Sequence, residues 1–226
     1  MVHGKRDHRK GTEQRRVILY PLTIRIWHWL HASAVVLLIF TGLQLRFPDF
    51  ITWFGAFEAA VRLHNIFGFI VLWDYLLWFG YYLWKQELVT QYVPTRRDVT
   101  RGAPQQAGYY LARIFFGDAP PFVSTPQAKF NALQKITYCG VMLLLIPLQI
   151  VTGLLLWDLE RFHAVIETFG GVRVIDAFHI MIAYIITVFL IIHIYLATVG
   201  QTVLSYTKAM IVGHEEKGVR HRKPSA

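Results

Sequence analysis

The sequence has a single cysteine, Cys139, among its 226 residues. A lone thiol within an apolar run excludes an internal disulfide, a cysteine-ligated iron–sulfur cluster and a C-x-x-C-H attachment site, so any redox chemistry here uses ligands other than sulfur. Charge is scarce too. Only 16% of residues are charged and the mean hydropathy is +0.38, too apolar for an ordinary soluble domain, while the length leaves room for one domain rather than several. No internal repeat is evident. The stretch before residue 22 is basic and polar, and the apolar run after it is longer than a signal-peptide core and lacks a small-x-small cleavage site, so it is expected to stay in the mature protein.

What the sequence does have is four runs without Lys, Arg or Glu: 26–45, 63–84, 136–157 and 177–207. Each is long enough to cross a hydrocarbon core, which needs roughly 20 helical residues, and only Asp74 interrupts them with a charge. The expected fold is an all-α integral membrane protein, a four-helix up-down bundle forming one domain over residues 1–226, with spans at about 22–45, 60–84, 130–157 and 174–206. The longest connection, 85–129, carries five prolines and a short apolar-aromatic stretch from Tyr109 to Phe116, which reads as a helix lying on the membrane surface.

The net charge of +9 would suggest a nucleic-acid partner in a soluble protein. Its distribution explains it better, and no nucleic-acid partner is expected. Seven basic residues precede or begin the first span, seven lie in 85–135, five in the C-terminal tail, and only four in the two remaining loops. By the positive-inside rule both termini are cytoplasmic and 46–62 and 158–176 face outside, as in a multi-pass bacterial inner-membrane protein.

Intramembrane ionisable residues are candidate functional groups by default. In the embedded parts these include His28, His31, His64, His179 and His193. His179 and His193 are fourteen residues apart, nearly four whole turns, so they share one helix face at a separation of about 21 Å. The direction of each span puts His64 level with His179 near the outer surface and His28 level with His193 near the inner one. Two histidines per level is what a haem iron requires, because the porphyrin leaves two axial positions open. Each of the four is followed four residues later by a small residue, Ala32, Gly68, Ala183 and Ala197, which leaves room for a flat macrocycle against the helix. His31 and His163 lack this feature. Histidines packed at helix contacts are the bland alternative, and His31 stays open as a packing residue or as a substitute for His28.

The run Arg25-Ile26-Trp27-His28-Trp29 leading to Thr41-Gly42, then Arg62-Leu63-His64-Asn65, and His179 paired with His193-Ile194-Tyr195, resemble the cytochrome b subunits of formate dehydrogenases, thiosulfate reductases and nickel–iron hydrogenases. The segment from Lys129 to Lys135 is most similar to the thiosulfate reductase and formate dehydrogenase branches. The resemblance covers nearly the whole chain except its tails. It implies two haems b, one on His28 and His193 and the other on His64 and His179. It also implies a quinone, menaquinone or ubiquinone, exchanging electrons beside the inner haem, and an extracytoplasmic redox partner of iron–sulfur, molybdenum or hydrogenase type. The chain then carries only the quinone half-reaction of a respiratory oxidoreductase.

Asn131, Gln134 and Lys135, at the inner end of the third span, present donors suited to a quinone carbonyl, with a helix cap and an interfacial lysine as the alternative. Arg25 and Arg62 lie close to proposed ligands and suit haem propionates or, equally, surface anchoring. Asp74 is expected to be neutral or paired inside the bundle. The rival function is a haem-free transporter or metal permease binding an ion through its histidines. Such proteins often show repeats and broken helices near the midplane, whereas here the histidines lie near the two surfaces.

Overall fold

The computed structural model describes residues 20–119, 121–122, 125, 128, 130–199 and 203–214, and these form helices and connections without a strand among them. The first span, α1 (Leu22–Arg46), starts after Pro21 and ends at Phe47, beside Pro48. The second, α2 (Phe57–Trp84), begins after a tight turn at the end expected to face outside, hence the outer end, in which Gly55 has φ 78°, a left-handed conformation open to glycine. Gln44, 1% exposed, closes that turn: its amide donates to the Gly55 carbonyl at 2.9 Å and accepts from the Phe54 N–H at 2.9 Å. Burying an amide in this way is favourable only because both of its ends are satisfied.

Between the second and third spans lie α3 (Leu88–Tyr92), a wide π turn (Asp98–Gly102), α4 (Ala103–Leu111) and a 3-10 turn (Arg113–Phe116). Leu111, Phe115 and Phe116 are exposed, as on a segment resting against lipid. The third span runs from Ala132 to Trp157. It consists of α5 (Ala132–Gly140), a π turn (Val141–Leu145) and α6 (Ile146–Trp157). Pro147 explains the widened turn: it has no N–H to give to the preceding turn and its ring crowds the carbonyl there, and one wide turn absorbs both defects. A short outer helix, α7 (His163–Thr168), precedes the fourth span, α8 (Val172–Ala197), and α9 (Ser205–Val212) follows.

The fourth helix is shorter than its apolar run. It stops at Ala197, where the Thr198 hydroxyl bonds back to the Tyr195 carbonyl at 2.7 Å, and Ser205 begins a separate helix. All four spans are long and apolar enough to cross a membrane. Large apolar side chains such as Trp73, Leu77 and Ile191 point outward, the arrangement a lipid solvent favours.

Packing divides the bundle into two hairpins. Contacts are extensive between α1 and α2 and between α6 and α8, but sparse between one hairpin and the other. The larger buried cluster, which includes Ile24, Trp78, Tyr82, Tyr92, Ile146 and Ile182, fills the inner half; Leu155, Ile166 and Ile175 form a smaller one at the outer end. The start of α1 is held by α9: Arg25 donates to the Ile211 carbonyl, Trp29 to the Met210 carbonyl at 3.3 Å, and the Tyr20 N–H to the Gly213 carbonyl at 3.1 Å.

Candidate functional site

Four histidines meet in two pairs across the seam between the hairpins. His28 of α1 faces His193 of α8, and His64 of α2 faces His179 of α8, with ring centroids 6.3 Å apart in both cases. A metal–imidazole bond is about 2.0–2.1 Å long and each nitrogen lies about 1.1 Å from its ring centre, so two imidazoles on opposite sides of one metal have centroids about 6.3 Å apart. The residues present fit a haem iron between two axial histidines at each level. Among the described residues no group of three or more His, Cys, Asp or Glu converges on a point, as a bare ion would need. A Cβ added at Gly68, one turn beyond His64, would meet nothing within 4 Å, so space is open on that side of the helix.

The two histidines of α1 have different partners. His31 turns to α2, where its Nδ1 lies 2.6 Å from Oδ2 of Asp74, and Trp27 stacks on its ring at 5.2 Å while donating to the Asp74 carbonyl at 3.2 Å. Asp74, 3% exposed, is thus paired inside the bundle, and removing one member of the pair leaves the other's buried hydrogen-bonding group unsatisfied at a cost of about 1–3 kcal/mol. His28 is left to face His193.

The surroundings of the pairs differ. At the inner pair the rings lie among aromatics: Phe189 stacks on His193 at 5.7 Å, Tyr138 meets it at 6.5 Å, and Trp29 meets His28 edge-on at 5.2 Å. The outer pair has polar neighbours. Thr41 Oγ1 lies 2.9 Å from His64 Nδ1, and Thr152 Oγ1 lies 2.9 Å from His179 Nδ1. A glycine follows each threonine, and a Cβ there would come within 3.5 Å of His64 Cε1 at Gly42 and within 3.2 Å of His179 Cε1 at Gly153. Gln149 Nε2 lies 3.1 Å from His179 Nε2.

The proposed quinone residues sit at the start of α5 and are partly engaged there. Asn131 and Gln134 form a reciprocal capping box: the Asn131 side chain accepts from the Gln134 N–H at 2.9 Å, and the Gln134 side chain accepts from the Asn131 N–H at 3.0 Å. Asn131 also donates to the Tyr110 hydroxyl at 3.4 Å, and Lys135 lies 3.8 Å from Asp98. Beside them, a cleft of about 280 Å³ opens between the surface segment and the inner end of α8, lined by Tyr110, Ile114, Phe115, Tyr195, Leu196 and Thr198 among others. Burial pushes the Tyr110 hydroxyl pKa up, so it stays protonated. Arg25 is shared with α9, and its Nε is buried without a partner among the described residues. Arg62 is exposed at the outer end of α2.

Thr152, Gln149 and the α8 wall of the cleft escaped sequence reasoning. The repeated Thr-Gly dipeptide, once before His64 and once before His179, is the signal that could have found the threonines.

Residues 19–213 match the model of the family described as prokaryotic cytochrome b561. The chain is 34% identical over 202 residues to the cytochrome YdhU of Escherichia coli (strain K12), covering 88% of this chain and 74% of that protein. It is 22% identical over 186 residues to the cytochrome b556 subunit of formate dehydrogenase from Haemophilus influenzae, covering 80% and 71% of the two chains. Identity to the protein-methionine-sulfoxide reductase subunit YedZ1 of Azospira oryzae is 23% over 206 residues, covering 87% and 96%.

Proposed function

Given that this chain belongs to the prokaryotic cytochrome b561 family, we propose that it is the dihaem membrane subunit of a respiratory oxidoreductase, carrying electrons between the quinone pool and an extracytoplasmic redox partner. The observation that carries this reading is the pair of histidine couples, each with ring centroids 6.3 Å apart, at two levels of one bundle. Haem b bound at each level supplies a one-electron carrier. His28 and His193 would hold the inner iron and His64 and His179 the outer one, with α8 supplying a histidine to each. The guanidinium groups of Arg62 and Arg25 would hold haem propionates.

The basic ends and the basic 85–135 segment support an orientation with both termini and the surface segment on the cytoplasmic side. The quinone site then lies at the inner end, in the cleft between Tyr110 and Thr198, next to the helix turn that carries His193. Tyr110 offers its hydroxyl to a quinone carbonyl; the Asn131 amide orients Tyr110, while Gln134 and Lys135 supply further donors from the start of α5. Menaquinone or ubiquinone is the substrate. The relatives named as subunits of formate dehydrogenase and of a methionine sulfoxide reductase support a separate redox subunit; the resemblance of the sequence motifs adds that it is of iron–sulfur, molybdenum or hydrogenase type and sits at the outer face.

A pyridine haemochrome assay against protein concentration tests this reading. Two haems b per chain are expected, with one remaining in His179→Ala and one in His28→Ala, while His31→Ala retains two. One haem or none in the fully loaded parent overturns the dihaem assignment, and a haem-free protein favours the ion-permease alternative.

A further inference from the structure

We propose that Thr41 and Thr152 are positioning residues that hold both outer histidines in the Nδ1–H tautomer, so that each presents the lone pair of Nε2 to the metal, and that they lower the potential of the outer site. This rests on the reading of His64 and His179 as the outer ligand pair.

The assignment follows from counting protons. The Thr41 hydroxyl has one proton and lies 2.8 Å from the Leu37 carbonyl and 3.2 Å from that of Leu38. Carbonyls only accept, so the proton is spent on the threonine's own helix, and the oxygen turns a lone pair toward His64 Nδ1 at 2.9 Å. Nδ1 must then carry the hydrogen. Thr152 repeats the arrangement, with Leu148 O at 2.8 Å, Gln149 O at 3.2 Å and His179 Nδ1 at 2.9 Å. At His179 a further contact is consistent with this: the Gln149 amide nitrogen lies 3.1 Å from Nε2 and donates to it when Nδ1 carries the hydrogen. The lone pair engaged by Gln149 is the one a metal would take.

The two threonines are on α1 and α6, the neighbours of the helices that carry the histidines. Each ring is therefore oriented by the adjacent helix of its own hairpin rather than by its own helix. At the inner pair His28 Nδ1 is buried without a partner among the described residues, so this device belongs to the outer site. An Nδ1–H that donates to oxygen makes the opposite nitrogen a more basic ligand, which favours the oxidised metal and lowers its potential.

The test uses Thr→Val, which keeps the shape and removes the oxygen, and Thr→Ser, which keeps the oxygen. In redox titrations of the purified haem-loaded chain, Thr41→Val and Thr152→Val each shift the outer haem potential upward, the double variant shifts it further, both Ser variants stay near the parent, and the inner potential does not move. An unmoved outer potential in the Val variants, or equal shifts in Val and Ser, overturns the proposal. A second measurement is independent of haem: ¹⁵N NMR of histidine-labelled full-length chain prepared without haem, in the same detergent. It should show His64 and His179 protonated at Nδ1, with Thr152→Val losing the downfield Nδ1–H signal of His179. Protonation at Nε2 overturns the proposal. If the dihaem reading alone is wrong, the potentials have no outer component to report while the tautomers are still found as stated.

Discussion

At the scale of single residues, the two glycines beside the outer histidines differ in the room they leave. A Cβ at Gly42 would stand 3.5 Å from His64 Cε1, an ordinary contact, whereas one at Gly153 would stand 3.2 Å from His179 Cε1 and push the imidazole. Gly153→Ala is therefore expected to cost about 1–3 kcal/mol, as overpacking does, and to lower occupancy of the outer haem first. Gly42→Ala should stay close to the parent. Haem-to-protein ratio and thermal melting of both variants check this ranking; equal behaviour would contradict the difference in packing. The histidines were legible in the sequence because ligand spacing and the small residue one turn later are properties of one helix at a time. The partners of His31, His64 and His179 were not, because each lies on a neighbouring helix and only packing brings Asp74, Thr41 and Thr152 to them. Asn131 shows the limit in another way: the same amide that suits a quinone carbonyl also suits a helix cap, and side-chain type alone does not separate the two uses.

At the scale of elements, the part of the connection between the second and third spans around residues 95–102 is docked against the start of the third. Gly102 lies against the first residue of α5, where an added Cβ would come 2.5 Å from that of Ala132. The turn just before it is closed by Asp98, whose carboxylate accepts from the Thr95 N–H at 2.9 Å and the Thr95 hydroxyl at 2.8 Å. The Asp98 pKa is lowered below its ordinary value, chiefly by the Thr95 backbone N–H, with further help from the Thr95 hydroxyl and the Lys135 ammonium. A lowered carboxylate stabilises the turn fully above its ordinary pKa and ceases to do so as pH falls through the native value. Carboxyl ¹³C NMR should thus find Asp98 titrating below the ordinary value of about 3.9. Thr95→Pro, which removes the N–H, should raise it more than Lys135→Met does, and the reverse order would make the ion pair the main cause. The helices themselves were readable from apolar run length. The end of the fourth was not, since the run continues to 207 while α8 stops at Ala197. Hydropathy records what lipid accepts and says little about where a backbone turns. Pro147 was visible, but its consequence, a widened turn in an unbroken span, depends on neighbours that keep the helix going.

At the scale of the whole molecule, two well-packed hairpins meet along a seam that the paired histidines line from both sides. A ligand that bridges the seam binds the assembled bundle better than the separated hairpins, so it stabilises assembly by mass action. Removing haem from the intact protein should lower its melting temperature in detergent and raise hydrogen exchange in α8 more than in α2, because α8 carries one histidine of each pair whereas α2 carries only His64. Equal exchange in the two helices would mean that the hairpins hold each other without cofactor. The contacts between α9 and α1 have a consequence for biosynthesis. Tyr20, Arg25 and Trp29, at the start of the first span, find their partners in Met210, Ile211 and Gly213, which are made after all four spans. The start of α1 thus waits for the three later spans before it is fastened, and a ribosome that stalls before Ser205 leaves behind four spans whose first one is still untied.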